Sequence, residues 1–108
     1  MNDKLKNENF WNLMKALLVL ETPEEAMEFF DDLCTVSELK SMSQRLEVAI
    51  MLRRGEVYTD IAAKTGASTA TISRVSRCIG YGSGGYNTVI SRLLKDEEKS
   101  SGKENQAK

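Results

Sequence analysis

Apolar residues recur three and four positions apart along most of this chain, and Val, Ile and Thr never alternate with polar residues over a long stretch. That spacing gathers them on one side of a 3.6-residue helix and predicts an all-α protein. A first helix, begun by Asp3 or a neighbour, carries Phe10, Leu13, Met14, Leu17 and Leu18, and Trp11, Val19 and Leu20 widen its apolar side. Thr22 followed by Pro23 starts the next: the hydroxyl accepts from an unpaired backbone N–H, and proline sits where a missing N–H costs nothing. Its inner side is Ala26, Met27, Phe29, Phe30 and Leu33. Thr35-Val36-Ser37-Glu38 spells a capping box and opens a long helix through Leu39, Met42, Leu46, Ala49, Ile50 and Leu52 to Arg54, where Gly55 closes it. Two short helices, 59–65 and 69–79, flank Gly66-Ala67-Ser68. After a glycine-rich turn over 80–85, Tyr86, Val89, Ile90, Leu93 and Leu94 mark a last helix. One domain is therefore expected over 1–95, followed by a disordered polar tail, 96–108.

The first two helices are apolar over more than half their circumference, more than so small a monomer covers by itself. A homodimer is the natural outlet, with entangled N-terminal helices and with Trp11 and the Phe29-Phe30 pair in its core.

Charge sharpens this division. The net charge of −1 over 108 residues conceals an acidic stretch and a basic one. Residues 1–38 hold three bases against nine acids, and 39–95 hold nine bases against Glu47, Glu56 and Asp60. The first is read as the dimerisation half, the second as a surface that faces an anion.

Within the basic half, 58–75 has the design of a helix-turn-helix. Ala62 is small enough for a second helix to cross closely, and Gly66 tolerates the positive φ of the turn. Ile72, Val75 and Ile79 pin the second helix to a core, so its opposite side presents Ala70, Ser73, Arg74 and Arg77. Ser68 or Thr69 caps its start, leaving Thr69, Ala70, Thr71 and Ser73 at the tip that enters a major groove. Short hydroxyls bond base edges or phosphates, small methyls meet thymine methyls, and arginines bind guanine or phosphate. Between Ile61 and Lys95 there is no acid. Double-stranded DNA is the expected partner, with Arg54, Lys64, Arg74 and Arg77 as its cationic contacts. A solvated αα-hairpin with a basic face is the plainer alternative.

Leu52-Arg53-Arg54-Gly55-Glu56, Gly66-Ala67 and Ala70-Thr71-Ile72-Ser73-Arg74 closely resemble the tryptophan repressor family, and within it the chain is most similar to the YerC/YecD group of Gram-positive bacteria. The resemblance covers roughly residues 10–95. It implies six helices in an intertwined dimer, the fourth and fifth forming the DNA-reading unit. It also implies a repressor of metabolic genes on a palindromic operator, with half-sites on the order of 34 Å apart. The family's corepressor positions fall on Thr35, Arg45 and Arg74, the two arginines flanking the ligand. Here Val75 replaces a glycine and Cys78 a serine, so isopropyl bulk stands where a ring slides in. That argues against tryptophan and leaves another amino acid, a metabolite or no effector open. A phosphate contact or an ion pair is an equal account of Arg45 and Arg74.

Other chemistry is scarce. The chain has no histidine, so His-based triads and common zinc sites are excluded, and no nucleophile has an evident base. An enzyme is not expected. Cys34 and Cys78 sit among apolar helical positions without a CxxC pair and are read as free buried thiols. Gly80-Tyr81-Gly82-Ser83-Gly84-Gly85 matches the letters of a dinucleotide fingerprint, but a helix rather than a strand precedes it, so it is read as a hinge. Glu24, Glu25, Glu28, Asp31 and Asp32 form a solvated helix face. Neither a leader nor a membrane span is legible, so the expected location is the cytoplasm. A second function class, a protein–protein module with a vestigial helix-turn-helix, stays open.

Overall fold

The computed structural model describes the backbone of residues 7–106 and the side chains of 7–98. Six helices follow one another: α1 (Glu8–Leu18), α2 (Pro23–Leu33), α3 (Val36–Arg53), α4 (Tyr58–Thr65), α5 (Thr69–Tyr81) and α6 (Gly85–Gln106). No strand occurs among the described residues. The chain divides into two compact units after Ser41, close to the change of charge at residue 38.

In the first unit each helix start is held by a side chain. Asn7 Oδ1 accepts from Phe10 N at 2.9 Å and caps α1; Asp3, the expected initiator, lies outside the described residues. Thr22 Oγ1 accepts from Glu25 N at 3.1 Å ahead of Pro23. The capping box before α3 is complete: Glu38 N donates to Thr35 Oγ1 at 3.1 Å and Thr35 N to Glu38 Oε1 at 2.8 Å. Hydrogen bonding of its carboxylate by the Thr35 backbone N–H, and then by the Thr35 hydroxyl, holds Glu38 below its ordinary pKa. Packing is the weak point. No residue of α1 or α2 is buried, and Leu18 is 84% and Met27 71% exposed.

The second unit has a true core. Val48, Ala49 and Met51 of α3, Ile61 of α4, Ala67 of the turn, Ile72 and Val75 of α5 and Ile90 of α6 are buried together. Each large aliphatic side chain so buried contributes about 1.5–3 kcal/mol. Of the apolar positions that periodicity puts on the inner side of α3, Ala49 is buried, whereas Leu39, Met42, Leu46, Ile50 and Leu52 are only half-buried. The stretch from Leu46 to Leu52 is apolar all round apart from Glu47, so spacing alone does not choose its inner side.

Helix ends also shift. α3 stops through paired bonds, Gly55 N to Leu52 O at 3.0 Å and Glu56 N to Met51 O at 3.1 Å. α6 runs past Lys95, where the disordered tail was expected to begin, and reaches Gln106. Its polar stretch is rich in Glu and Lys, which favour helix, and Glu97 is tied back to Arg54 of the second unit at 2.9 Å.

Candidate nucleic-acid interface

The helix-turn-helix forms because its turn is fixed from several sides. Gly66 adopts φ 74°, a conformation that favours glycine, and donates its N–H to Ala62 O at 2.9 Å. Thr65 Oγ1 donates to Ile61 O at 2.7 Å and accepts from Ala67 N at 3.1 Å, while Ala67 itself is buried. From α3, Gln44 Nε2 donates to Thr65 O at 3.2 Å. Ser68 then caps α5, accepting from Thr71 N at 3.1 Å.

With Ile72 and Val75 each 1% exposed and Ile79 packed on the same core, the outward side of α5 follows from 100° per residue. Thr69, Ser73, Arg77, Ala70, Tyr81 and Arg74 share an arc of about 140°. All but Ser73, which is half-buried, are exposed. Thr71 does not belong to this arc. It lies on the flank, half-buried, and its hydroxyl accepts from Ser68 Oγ at 3.1 Å, so one of the expected base readers is engaged by the residue that caps the helix.

The four expected cationic contacts separate into two pairs. Arg54 Nη2 donates to Glu97 Oε2 of α6 at 2.9 Å, and Lys64 Nζ donates to Glu56 Oε1 at 2.8 Å. The hydrogen bond and charge of Glu56 raise the Lys64 pKa. Arg74 and Arg77 are exposed and make no ion pair among the described residues. Of the four, the two without an ion pair among the described residues are thus both on α5.

The expected effector residues are divided between the two units. Thr35 belongs to the first unit and is engaged in the capping box. Arg45 is half-buried on α3 and Arg74 lies on the exposed side of α5. Val75 does not plug a slot beside Arg74; it points to the other side of α5, into the core, because its neighbour Ile72 anchors that side. Cys78 lines an open, mostly apolar groove of about 500 Å³ with Leu46, Tyr86, Val89 and the 82–85 turn. No charged side chain lines that groove. Both cysteines are free thiols, half-buried rather than buried.

Sequence reasoning missed two polar clamps. Besides Gln44, Asn87 on α6 donates through Nδ2 to Ile79 O near the end of α5 at 2.9 Å and accepts from Arg53 Nη1 at 2.8 Å. The glycine run after α5 also has a steric meaning: a Cβ on Gly82 would collide with the Cys78 carbonyl, which accepts the Gly82 N–H at 2.9 Å. That glycine is needed to end a helix, and no phosphate cradle is required to explain it.

Among the described residues, no group of three or more Cys, Asp or Glu side chains is placed to hold a metal, and no helix is long and apolar enough to cross a membrane.

Comparison with known proteins agrees with this geometry. A family model described as Trp repressor protein matches residues 8–94. The chain is 50% identical over 101 residues to the uncharacterized protein YerC of Bacillus subtilis (strain 168), which spans 94% of this chain and 97% of that one. The crystal structure of a TrpR-like protein from Eubacterium eligens ATCC 27750 superposes with a TM-score of 0.82 at 54% identity, covering 85% of this chain and 95% of the other. A Staphylococcus aureus protein solved as a candidate Trp repressor gives a TM-score of 0.81 at 47% identity, covering 85% and 92%. A helix-turn-helix clamped by α3 and α6, and matched along nearly all of its length, places this chain in the Trp repressor family.

Proposed function

We propose that the chain is a dimeric, sequence-specific DNA-binding transcriptional regulator, a repressor of amino-acid or related metabolic genes acting on a palindromic operator. The observation that carries this reading is the outward side of α5: exposed Thr69 and Ala70 at the tip, with exposed Arg74 and Arg77 free of ion pairs among the described residues. Small groups at the tip suit base edges and the arginines suit phosphate or guanine. Membership of a regulatory rather than enzymatic family supports the same reading; the metabolic and repressor parts rest on it alone.

Selection of bound fragments from a digested genome, repeated with and without a panel of amino acids, tests it. One palindrome should be enriched over random duplex, and binding should weaken as salt rises. Binding no better than to random duplex overturns sequence specificity. Binding to none, with a stoichiometric protein captured instead, favours the interaction-module reading. A palindrome enriched only with one amino acid identifies an effector. The groove beside Cys78 has no charge to hold a zwitterion, so a less polar metabolite suits it better.

The dimer is supported by α1 and α2, in which no residue is fully buried within the protomer. A second copy of this chain covers Leu18 and Met27 in this proposal. Leu18→Glu should raise the dimer dissociation constant at least about tenfold in analytical ultracentrifugation. Far-UV circular dichroism should stay unchanged, because Leu18 is 84% exposed in the protomer.

A further inference from the structure

We propose that Tyr81 is a further DNA contact, its phenolic hydroxyl donating to a backbone phosphate where α5 leaves the major groove. The inference rests on the reading of α5 as the DNA-contacting helix.

α5 continues through Gly80 and Tyr81, and this places the tyrosine on the helix rather than in the following turn. It lies four residues after Arg77 and, at 100° per residue, between Ala70 and Arg74 on the outward arc. Tyr81 is 90% exposed, more than any other large apolar side chain described, so the fold of the protomer gains nothing from it. At 1.5 Å per residue it stands about 18 Å along the axis from Thr69. The major groove is only about 12 Å wide. With the tip of α5 over base edges, Tyr81 is therefore beyond the groove wall, at the sugar-phosphate backbone. The next residues, Gly82, Ser83, Gly84 and Gly85, carry almost no side chain to hold a backbone away. No acid from Ile61 to Lys95 repels it. A neutral O–H donor on a rigid ring suits that position.

The test uses the full chain, a random-sequence duplex and the fragment enriched by selection, with binding followed by fluorescence anisotropy across salt concentrations. Tyr81→Phe should weaken binding about tenfold on both duplexes, since a phosphate bond carries no sequence information. The slope of log affinity against log salt should not change, because a phenol displaces no counterion, whereas each Arg77 contact removed lowers it by about one. Tyr81→Phe binding like wild type overturns the hydroxyl contact, whatever Tyr81→Ala does. So does a loss confined to the enriched duplex, which marks a base contact. A shifted monomer–dimer equilibrium for Tyr81→Ala without DNA overturns it too, placing the ring against a second copy. Wild-type protein that binds neither duplex overturns the reading of α5 itself, and this contact with it.

Discussion

Ile72→Ala should lower the unfolding free energy by about 2–5 kcal/mol, the largest stability loss expected from a single truncation on α5. Ile72 is 1% exposed and packs with Val48, Ile61, Val75 and Ile90, all of them at or near complete burial. Those neighbours come from four helices, so none can move into the space without disturbing another element. The cavity term then adds to the lost transfer free energy. For a domain of this size each kcal/mol corresponds to about 4–8 °C, so the melting temperature should fall by roughly 10–30 °C in thermal denaturation at fixed protein concentration. Ile72→Val removes one methylene and should cost only about 0.5–1.5 kcal/mol. If Ile72→Ala melts within a few degrees of wild type, the second unit is not organised around this residue.

The largest functional effect should come from Arg74 and Arg77. Arg54 and Lys64 already face Glu97 and Glu56, so phosphate must compete for them, whereas the two α5 arginines have no such rival among the described residues. If each contacts one phosphate, a dimer neutralises about four, and log affinity should fall with log salt at a slope near −3.6. Arg77→Ala should halve that slope to about −1.8 and cost about 1.5–3 kcal/mol per contact on any duplex. Ser73→Ala should leave the slope alone and reduce the preference for the selected palindrome. Equal salt slopes for wild type and Arg77→Ala would remove Arg77 from the interface.

What the sequence made legible was local. Thr22-Pro23, the Thr35–Glu38 capping box, Gly55 and Gly66 each act within five residues, so helix order and most boundaries could be read directly. The outward arc of α5 was equally legible once Ile72 and Val75 were taken as its anchors. Bonds between distant residues leave no periodic trace. The Arg54–Glu97 pair spans 43 positions, and the Gln44 bond to Thr65 spans 21. The pairing of Thr71 with Ser68, which leaves Thr71 half-buried at the helix tip, has no trace in residue spacing either. Tyr81 was missed because the glycines around it read as a turn from Gly80 onward, although the helix continues to Tyr81.

The two clamps on α5 are both carboxamides: Gln44 at the turn that precedes it and Asn87 near its end. Neither group gains or loses a proton near neutral pH, and Asn87 is steadied in turn by the bond it accepts from Arg53. The pitch of α5 against its scaffold is therefore buffered against acidity and ionic strength by construction. A change in DNA affinity on titrating either variable reports events at the DNA surface, undistorted by a tilting helix. Salt then acts on the contacts with DNA while the orientation of the helix that makes them stays fixed.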